Sequence, residues 1–159
     1  MPRTLFSTAF GLCALSWSEA GLTRFELPEA LVQADDVTKP PFLAPLIARV
    51  QRHLAGEAQD FAGEPFDFTG VADFNRRVLL ATLAVKAGHT STYGQIAAAM
   101  GEAPAASRGV GAALGANRWP LLIPCHRVTG ADGRMTGFSG PGGVETKARL
   151  LTLEGAALL

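Results

Sequence analysis

Residues 92–115 read TYGQIAAAMGEAPAASRGVGAALG, a stretch that predicts two short helices joined by a tight turn. Thr92 and Gln95 have the spacing of a capping box, in which each side chain binds the other residue's backbone N–H at the start of a helix. The first helix ends before Pro104, which opens a second helix closed by Gly115. The pattern is typical of a helix-turn-helix.

The second helix is rich in small residues and carries one long cation, Arg108. Glycine inside a helix costs up to about 1 kcal/mol relative to alanine, so Gly109 and Gly111 need a reason. Two explanations stay open: close approach of another body such as DNA, or tight packing against a neighbouring helix. One arginine projecting from a smooth surface suits a protein that holds a base out of the DNA stack, because the guanidinium can fill the vacated place.

Residues 121–128 read LLIPCHRV, an apolar run that stops at Pro124 and is followed by Cys125, His126 and Arg127. The run predicts a short buried strand or core segment, and proline cannot donate a ladder hydrogen bond, so regular structure should end there. A thiolate is the reactive form of cysteine, and a nearby imidazole or cation favours it. Cys125 is therefore a candidate nucleophile. We expect His126 to reach the sulfur through a turn or a bridging water, and favour the water.

The composition is that of a folded globular protein of 159 residues, 48% hydrophobic and 18% charged. Fourteen basic residues balance fourteen acidic ones, so nucleic-acid binding must come from a local patch rather than from bulk charge. Two cysteines, Cys13 and Cys125, cannot make a disulfide framework, and a reactive thiol is better kept in the cytoplasm. Neither a signal peptide nor a membrane span of about 20 apolar residues is visible.

The beginning of the chain predicts a small antiparallel sheet. Two apolar runs, 10–17 and 22–27, flank Gly21, which can adopt the positive φ that a hairpin turn needs. Residues 66–68 alternate Phe-Asp-Phe and return to this sheet. We expect Cys13 in the core, because no histidine or carboxylate stands beside it.

One helix covers the sheet. It opens at the Pro40 and Pro41 pair and ends at Gly56, and we expect His53 on its solvated surface. The fold class is thus α+β, with a mainly helical second part. Asp73 is a candidate N-cap for the next helix, which ends at Gly88. The apolar stripe of the covering helix comprises Leu43, Leu46, Ile47, Val50 and Leu54.

Residues 66–155 resemble the O6-alkylguanine-DNA alkyltransferases, whose hallmark is a Pro-Cys-His-Arg-Val pentapeptide. The first sixty residues resemble the same family more weakly. The resemblance implies a ribonuclease H-like α+β domain over residues 1–70. It implies a DNA-binding and alkyl-transfer domain with a winged-helix-like helix-turn-helix over residues 71–159. The matching residues outside the pentapeptide are Tyr93, Arg108, Asn117, Gly137, Lys147 and Glu154.

This resemblance implies DNA repair by direct damage reversal. Sulfur displaces guanine oxygen from the alkyl carbon and leaves a permanent thioether on Cys125, so each molecule acts once. His126 takes the thiol proton through water, and Glu154 fixes the imidazole tautomer. Tyr93 shares a proton with N3 of the leaving guanine, and Asn117 bonds to backbone near the active-site segment. O4-alkylthymine is left open as a second substrate.

The expected partner is double-stranded DNA containing O6-alkylguanine, bound by a monomer after base flipping, with no membrane, metal or cofactor. In the family, Arg108 stands at the position of the inserted arginine finger. Ser139 and Lys147 stand two residues further apart than is usual. The expected DNA-binding residues are Arg108, Ala106, Ser107, Gly111, Thr92 and Arg127. The expected pocket residues are Pro120, Leu114, Val128, Ser139, Gly140 and Lys147.

Three other functions stay open on sequence alone. A lesion-recognising member of the same lineage would bind damage without transferring it, although such proteins lack the pentapeptide cysteine. A cysteine hydrolase would use a Cys-His-Glu set to form acyl intermediates over many turnovers. A regulatory helix-turn-helix module would bind operators poorly with a near-neutral chain and a small-residue recognition helix. The sequence does not predict whether Arg118 and Trp119 contact DNA or cover the pocket rim.

Overall fold

The computed structural model describes residues 2–28, 41–131 and 143–156. The chain begins with a three-stranded antiparallel sheet of β1 (Arg3–Thr8), β2 (Gly11–Ser18) and β3 (Gly21–Glu26), in that spatial order. The predicted ribbon is confirmed as β2 and β3, while β1 was not predicted. Gly21 turns the chain with φ 139°, and a Cβ there would lie 2.1 Å from the Pro65 carbonyl oxygen, so only glycine fits.

Helix α1 (Leu43–Leu54) lies against β1 and buries the predicted apolar stripe except for Ile47, which is half-buried. The Gln51 side chain donates to the Ser7 carbonyl at 2.9 Å and so ties the helix to the sheet. The expectation that His53 is solvated is wrong, since this residue is 1% exposed. Three residues beyond Val50, it falls on the same buried face of the helix.

The segment after α1 returns to the sheet as predicted. Phe66 forms a parallel bridge with Leu22, whose N–H donates to the Pro65 carbonyl at 2.7 Å. Leu22 also accepts from the Asp67 N–H at 2.7 Å. These bonds anchor residues 65–67 along the edge of β3.

With Asp73 as its N-cap, the helix would begin at Phe74, but α2 (Asp73–Thr82) begins one residue earlier. Ala72 occupies the N-cap position without any side-chain cap bond, and Asp73 is the first helical residue. The prediction that Asp73 caps the helix is therefore wrong, although its charge still lies at the helix N-terminus, where the dipole favours an anion. The helix also ends at Thr82, before the predicted Gly88.

The helix-turn-helix comprises α3 (Tyr93–Ala99) and α4 (Ser107–Gly115), with a 3₁₀ turn at Pro104–Ala106 between them. The capping box is confirmed: the Gln95 N–H donates to the Thr92 hydroxyl at 3.1 Å, and the Thr92 N–H donates to the Gln95 amide oxygen at 2.9 Å.

Packing accounts for one of the two glycines in α4. A Cβ on Gly109 would lie 3.2 Å from the Phe74 ring of α2, which is closer than ordinary contact. A Cβ on Gly111 would lie 3.9 Å from the Tyr93 ring, which is ordinary van der Waals distance. Helix packing therefore explains Gly109 and leaves Gly111 unexplained.

A two-stranded parallel pair of β4 (Ser91–Thr92) and β5 (Val128–Thr129) joins the helix-turn-helix to the segment around Cys125, and α5 (Gly143–Leu153) follows as predicted. Leu121, Leu122 and Ile123 are buried but form no strand. The core-segment alternative is thus the one observed.

One hydrophobic cluster contains residues from both halves of the chain. Trp119 is fully buried, stands edge-on to the rings of Phe66 and Phe68, and donates its indole N–H to the Leu22 carbonyl at 3.0 Å. Trp119 is therefore a core residue, while Arg118 donates to the Thr69 carbonyl at 3.1 Å. The domain boundary at residue 70 stays a prediction. Within the described ranges, no helix has the length and apolarity to cross a membrane.

Candidate active site

Cys125 lies at the start of a single 3₁₀ turn, Cys125–Arg127, directly after Pro124. The backbone at Cys125 and His126 is thus a turn, and the route between the sulfur and the imidazole, for which water is favoured, stays a prediction. Cys125 is 6% exposed and is therefore a buried residue. Burial raises the pKa of the Cys13 thiol to about 11 despite a hydrogen bond with Thr8. Cys13 is therefore protonated at neutral pH and a poor nucleophile.

The Asn117 side chain holds the loop that leads to Cys125. Its amide N–H donates to the Ile123 carbonyl at 2.9 Å, and its oxygen accepts from the Trp119 N–H at 2.9 Å. Between these bonds, Leu121 has φ 81°, a left-handed conformation that costs a leucine about 1–2 kcal/mol. Asn117 thus bonds to backbone on both sides of Leu121, and its contribution to alkyl transfer stays a prediction.

The Glu154 carboxylate meets His126 and Arg127 in the interior. The His126 Nε2 atom lies 2.9 Å from Oε2 and 3.0 Å from Oε1 of Glu154. The Arg127 guanidinium binds the same carboxylate through two nitrogens, each at 2.9 Å, and donates to the Val85 carbonyl at 2.6 Å. Glu154 is 1% exposed at its side chain and His126 is fully buried.

The electrostatics of this cluster keep Glu154 charged and His126 neutral. Burial alone would raise the pKa of Glu154, but hydrogen bonds from His126, His53 and Arg127 outweigh it and hold that pKa well below its ordinary 4.5. Burial lowers the pKa of His126 below 6.5, although the bond to Glu154 opposes this. At neutral pH, His126 is therefore an uncharged imidazole.

The tautomer of His126 follows from its partner. Because a carboxylate only accepts hydrogen bonds, the proton of the neutral ring lies on Nε2. The Nδ1 atom is buried and has no hydrogen-bond partner among the residues that the structure describes. It therefore carries a lone pair that can accept a proton.

Two predicted site residues take interior positions. Arg127, expected to bind DNA, is 6% exposed and its guanidinium is bonded to Glu154 and Val85, so the prediction of DNA contact is corrected to an internal ion pair. Lys147 is 1% exposed and donates to the Val128 carbonyl at 2.7 Å. Burial lowers the pKa of Lys147, and negative charge on Cys125 opposes that shift.

Three of the predicted pocket residues are buried, and their part in a substrate pocket stays a prediction. Val128 is fully buried, Leu114 is 5% exposed, and Pro120 is buried as well. Ser139 and Gly140 lie outside the described residues, as does Gly137.

The predicted DNA-binding residues other than Arg127 lie at the surface or partly buried. Arg108 is exposed on α4, while Ala106, Ser107 and Gly111 are half-buried around it. Thr92 caps α3, and Tyr93 begins that helix beside Gly111. The helix-turn-helix thus carries a small-residue surface with one projecting cation.

Sequence reasoning missed His53 as a member of the site. Its Nε2 atom lies 2.8 Å from the Glu154 Oε2 atom, and its Nδ1 atom accepts from the Gln59 N–H at 2.9 Å. The signal was present, because its spacing from Val50 puts it on the apolar face of α1. In the described ranges, no three His, Cys, Asp or Glu side chains are grouped to hold a metal.

Comparisons with known proteins give one consistent answer. A family model described as 6-O-methylguanine DNA methyltransferase, DNA binding domain, matches residues 73–156. The chain is 36% identical over 143 residues to a methylated-DNA–protein-cysteine methyltransferase of Methanothermobacter thermautotrophicus, covering 89% of this chain and 78% of the relative. A Mycobacterium bovis protein of the same name is 43% identical over 108 residues, covering 68% of this chain and 62% of the relative. The crystal structure of Mycobacterium tuberculosis OGT in complex with DNA superposes with a TM-score of 0.80 at 33% identity, covering 97% and 93% of the two chains.

Proposed function

Because the chain belongs to the 6-O-methylguanine DNA methyltransferase family, we propose that it repairs DNA by moving the alkyl group of O6-alkylguanine onto its own Cys125. One observation carries the proposal. Cys125 heads a turn whose next residue, His126, is a buried neutral imidazole bonded to the Glu154 carboxylate. This arrangement provides a sulfur nucleophile with a proton acceptor one residue away.

The first step is loss of the thiol proton. A water molecule carries the proton from Cys125 to Nδ1 of His126, which has the lone pair to accept it. Nε2–H of the ring stays bonded to Glu154, and the carboxylate stabilises the imidazolium that forms. Arg127 keeps Glu154 ionised throughout, because its guanidinium is already paired with both carboxylate oxygens.

The second step is an in-line displacement. The Cys125 thiolate attacks the alkyl carbon, a carbon–sulfur bond forms, and the bond from that carbon to O6 breaks with its electron pair on the guanine. Tyr93 shares its phenolic proton with N3 of the leaving guanine and so offsets the negative charge. The product is a thioether, whose carbon–sulfur bond is stable to hydrolysis in water. Each molecule therefore acts once.

Lys147 supports the thiolate from the interior side. Lys147 is 1% exposed, and the charge on Cys125 favours its protonated ammonium form. The coupling is reciprocal, so the ammonium group also favours the thiolate of Cys125. The hydrogen bond to the Val128 carbonyl fixes the ammonium at the start of β5.

The helix-turn-helix binds the damaged duplex. Arg108 is exposed on α4 with the half-buried small residues Ala106, Ser107 and Gly111 around it. A surface of this kind lets the DNA backbone approach closely, while the guanidinium occupies the gap left by the flipped base. Thr92, at the N-terminus of α3, lies beside Tyr93 and completes the DNA-facing set.

The experiment measures both the repair of the O6-methylguanine and the methylation of Cys125. Duplex DNA with one O6-methylguanine carrying a labelled methyl group is incubated with the protein, and the digested DNA and the peptides are separated. We expect guanine to be restored while the label appears on the peptide that contains Cys125. The variant Cys125→Ser should leave the lesion intact. The matched control Cys13→Ser should repair normally, since Cys13 is buried and protonated. Label on another residue, or release of labelled methanol, would overturn the proposal.

A further inference from the structure

His53 is a buried polar residue that the proposed mechanism does not use. It lies in α1 and is 1% exposed, and its ring is tilted by 52° to the Phe61 ring, with 5.5 Å between the ring centroids. Its Nε2 atom lies 2.8 Å from the Glu154 Oε2 atom, and 101 positions separate the two residues in the chain. The only contribution from the N-terminal half to the Glu154 carboxylate, within the described ranges, is this imidazole.

The hydrogen-bond partners define the state of the His53 ring. The Gln59 backbone N–H can only donate, and it donates to Nδ1 at 2.9 Å. Nδ1 therefore carries a lone pair, and the ring proton lies on Nε2. The Nε2–H group then donates to Glu154. A doubly protonated His53 would lose the bond from Gln59, so the geometry fits the neutral ring.

The three donors to Glu154 come from two elements, the turn at Cys125–Arg127 and helix α1. Oε2 accepts from His53, His126 and Arg127, while Oε1 accepts from His126 and Arg127. Arg127 and His126 come from the turn that carries Cys125, so both would move with it. His53 comes from α1, so its bond fixes the carboxylate relative to a separate part of the fold.

We infer that His53 is a positioning residue for alkyl transfer: its Nε2–H group holds the Glu154 carboxylate in the orientation that keeps the proton of His126 on Nε2. This inference rests on the proposed function. Without the bond from His53, only residues of the Cys125–Arg127 turn hold the carboxylate, so the orientation of the His126 ring is fixed less firmly. The consequence is a slower first step, with no direct contact between His53 and the lesion.

A matched pair of substitutions separates the hydrogen bond from packing. His53→Gln and His53→Met introduce side chains of nearly equal length and volume, but only Gln has an N–H donor for Glu154. The measurement is the single-turnover rate constant of methyl transfer to Cys125 at saturating duplex, followed by intact mass. We expect His53→Met to react about tenfold more slowly, as loss of one hydrogen bond to a charged group implies. We expect His53→Gln to recover most of that loss at an unchanged affinity for DNA.

The other outcomes overturn the inference in distinguishable ways. Equal, wild-type rates in both variants would show that the bond is unnecessary, and equal slowing in both would assign His53 a packing role. If the unaltered protein gains no methyl group, the proposed function fails and this inference fails with it. If a variant does not fold, the tautomer of the His53 ring can still be measured in the unaltered protein. The ¹⁵N spectrum should show His53 protonated on Nε2 alone, and a ring protonated on Nδ1 would overturn the assignment.

Discussion

The Nε2 atom of His126 lies 2.9 Å from the Oε2 atom of Glu154, although 28 positions separate the two residues, and both side chains are sealed from solvent. The pair carries a net negative charge, because the His126 imidazole is neutral and the Glu154 carboxylate is ionised. Arg127 supplies the compensating charge through two bonds to the same carboxylate. A buried ion pair and a candidate proton relay therefore share one carboxylate.

Glu154→Gln should destabilise the protein strongly. The substitution leaves the Arg127 guanidinium buried without a counter-charge, and breaking a buried pair in this way costs about 3–5 kcal/mol. Denaturant unfolding measures the change. The matched control is Glu102→Gln, which breaks an exposed pair with Arg77 at 3.5 Å and should cost less than about 1 kcal/mol. Similar small losses in both variants would contradict the buried ion pair.

Stability should fall as the pH is lowered below 6.5. Burial depresses the pKa of His126 in the folded protein, while the His126 imidazole of the unfolded chain has its ordinary pKa of 6.5. Below pH 6.5 the unfolded chain therefore binds more protons than the folded protein, and the free energy of unfolding decreases. Glu154 adds a second loss below 4.5, because its folded pKa is also depressed. Urea titrations at a series of pH values measure both. His126→Gln should remove the first loss and keep the second, and an unchanged profile in that variant would contradict the assignment.

The two glycines of α4 should respond differently to alanine. Gly111→Ala gains about 0.5–1 kcal/mol from helix propensity and meets Tyr93 only at ordinary distance. Gly109→Ala has the same gain but must displace the Phe74 ring, so its net effect should be smaller or destabilising. Thermal unfolding ranks the two variants. If Gly111 faces DNA as proposed, Gly111→Ala should also bind damaged duplex more weakly, and the reverse ranking in stability would contradict the packing described.

Arg108→Ala should slow repair of duplex DNA far more than reaction with a free O6-alkylguanine base. The free base needs no extrusion, so the arginine has no gap to fill. Single-turnover rates on the two substrates give the comparison. Arg52→Ala removes an exposed cation from α1 and serves as the control, with little effect on either substrate expected. Equal slowing on duplex and base in Arg108→Ala would remove the extrusion role.

The sequence predicted those parts of the fold that depend on local chemistry. The capping box at Thr92 and Gln95, the helix-turn-helix and the apolar stripe of α1 are all confirmed, because each follows from neighbours along the chain. Strand β1 was missed. Its pairing with β2 is decided by cross-strand contacts such as Phe6 with Cys13, which a single segment does not reveal.

The positions of His53, Arg127 and Trp119 depend on hydrogen-bond partners that lie far away in the sequence. His53 is buried because Glu154 accepts its hydrogen bond from far along the chain, and a histidine without a known partner is ordinarily placed at the surface. From the sequence, Arg127 was also expected to bind DNA. The 3₁₀ turn instead directs its guanidinium to Glu154. Trp119 is buried for a similar reason, because its indole N–H donates to the carbonyl of Leu22 on β3.

The intact mass of the protein after reaction with excess duplex DNA containing O6-methylguanine tests the central claim most directly. We predict a gain of one CH₂ per molecule, the net change when a methyl group replaces the thiol hydrogen, carried by Cys125 and constant on longer incubation. An unchanged mass accompanied by repair of many lesions per molecule, or a methyl group on any other residue, would contradict the account.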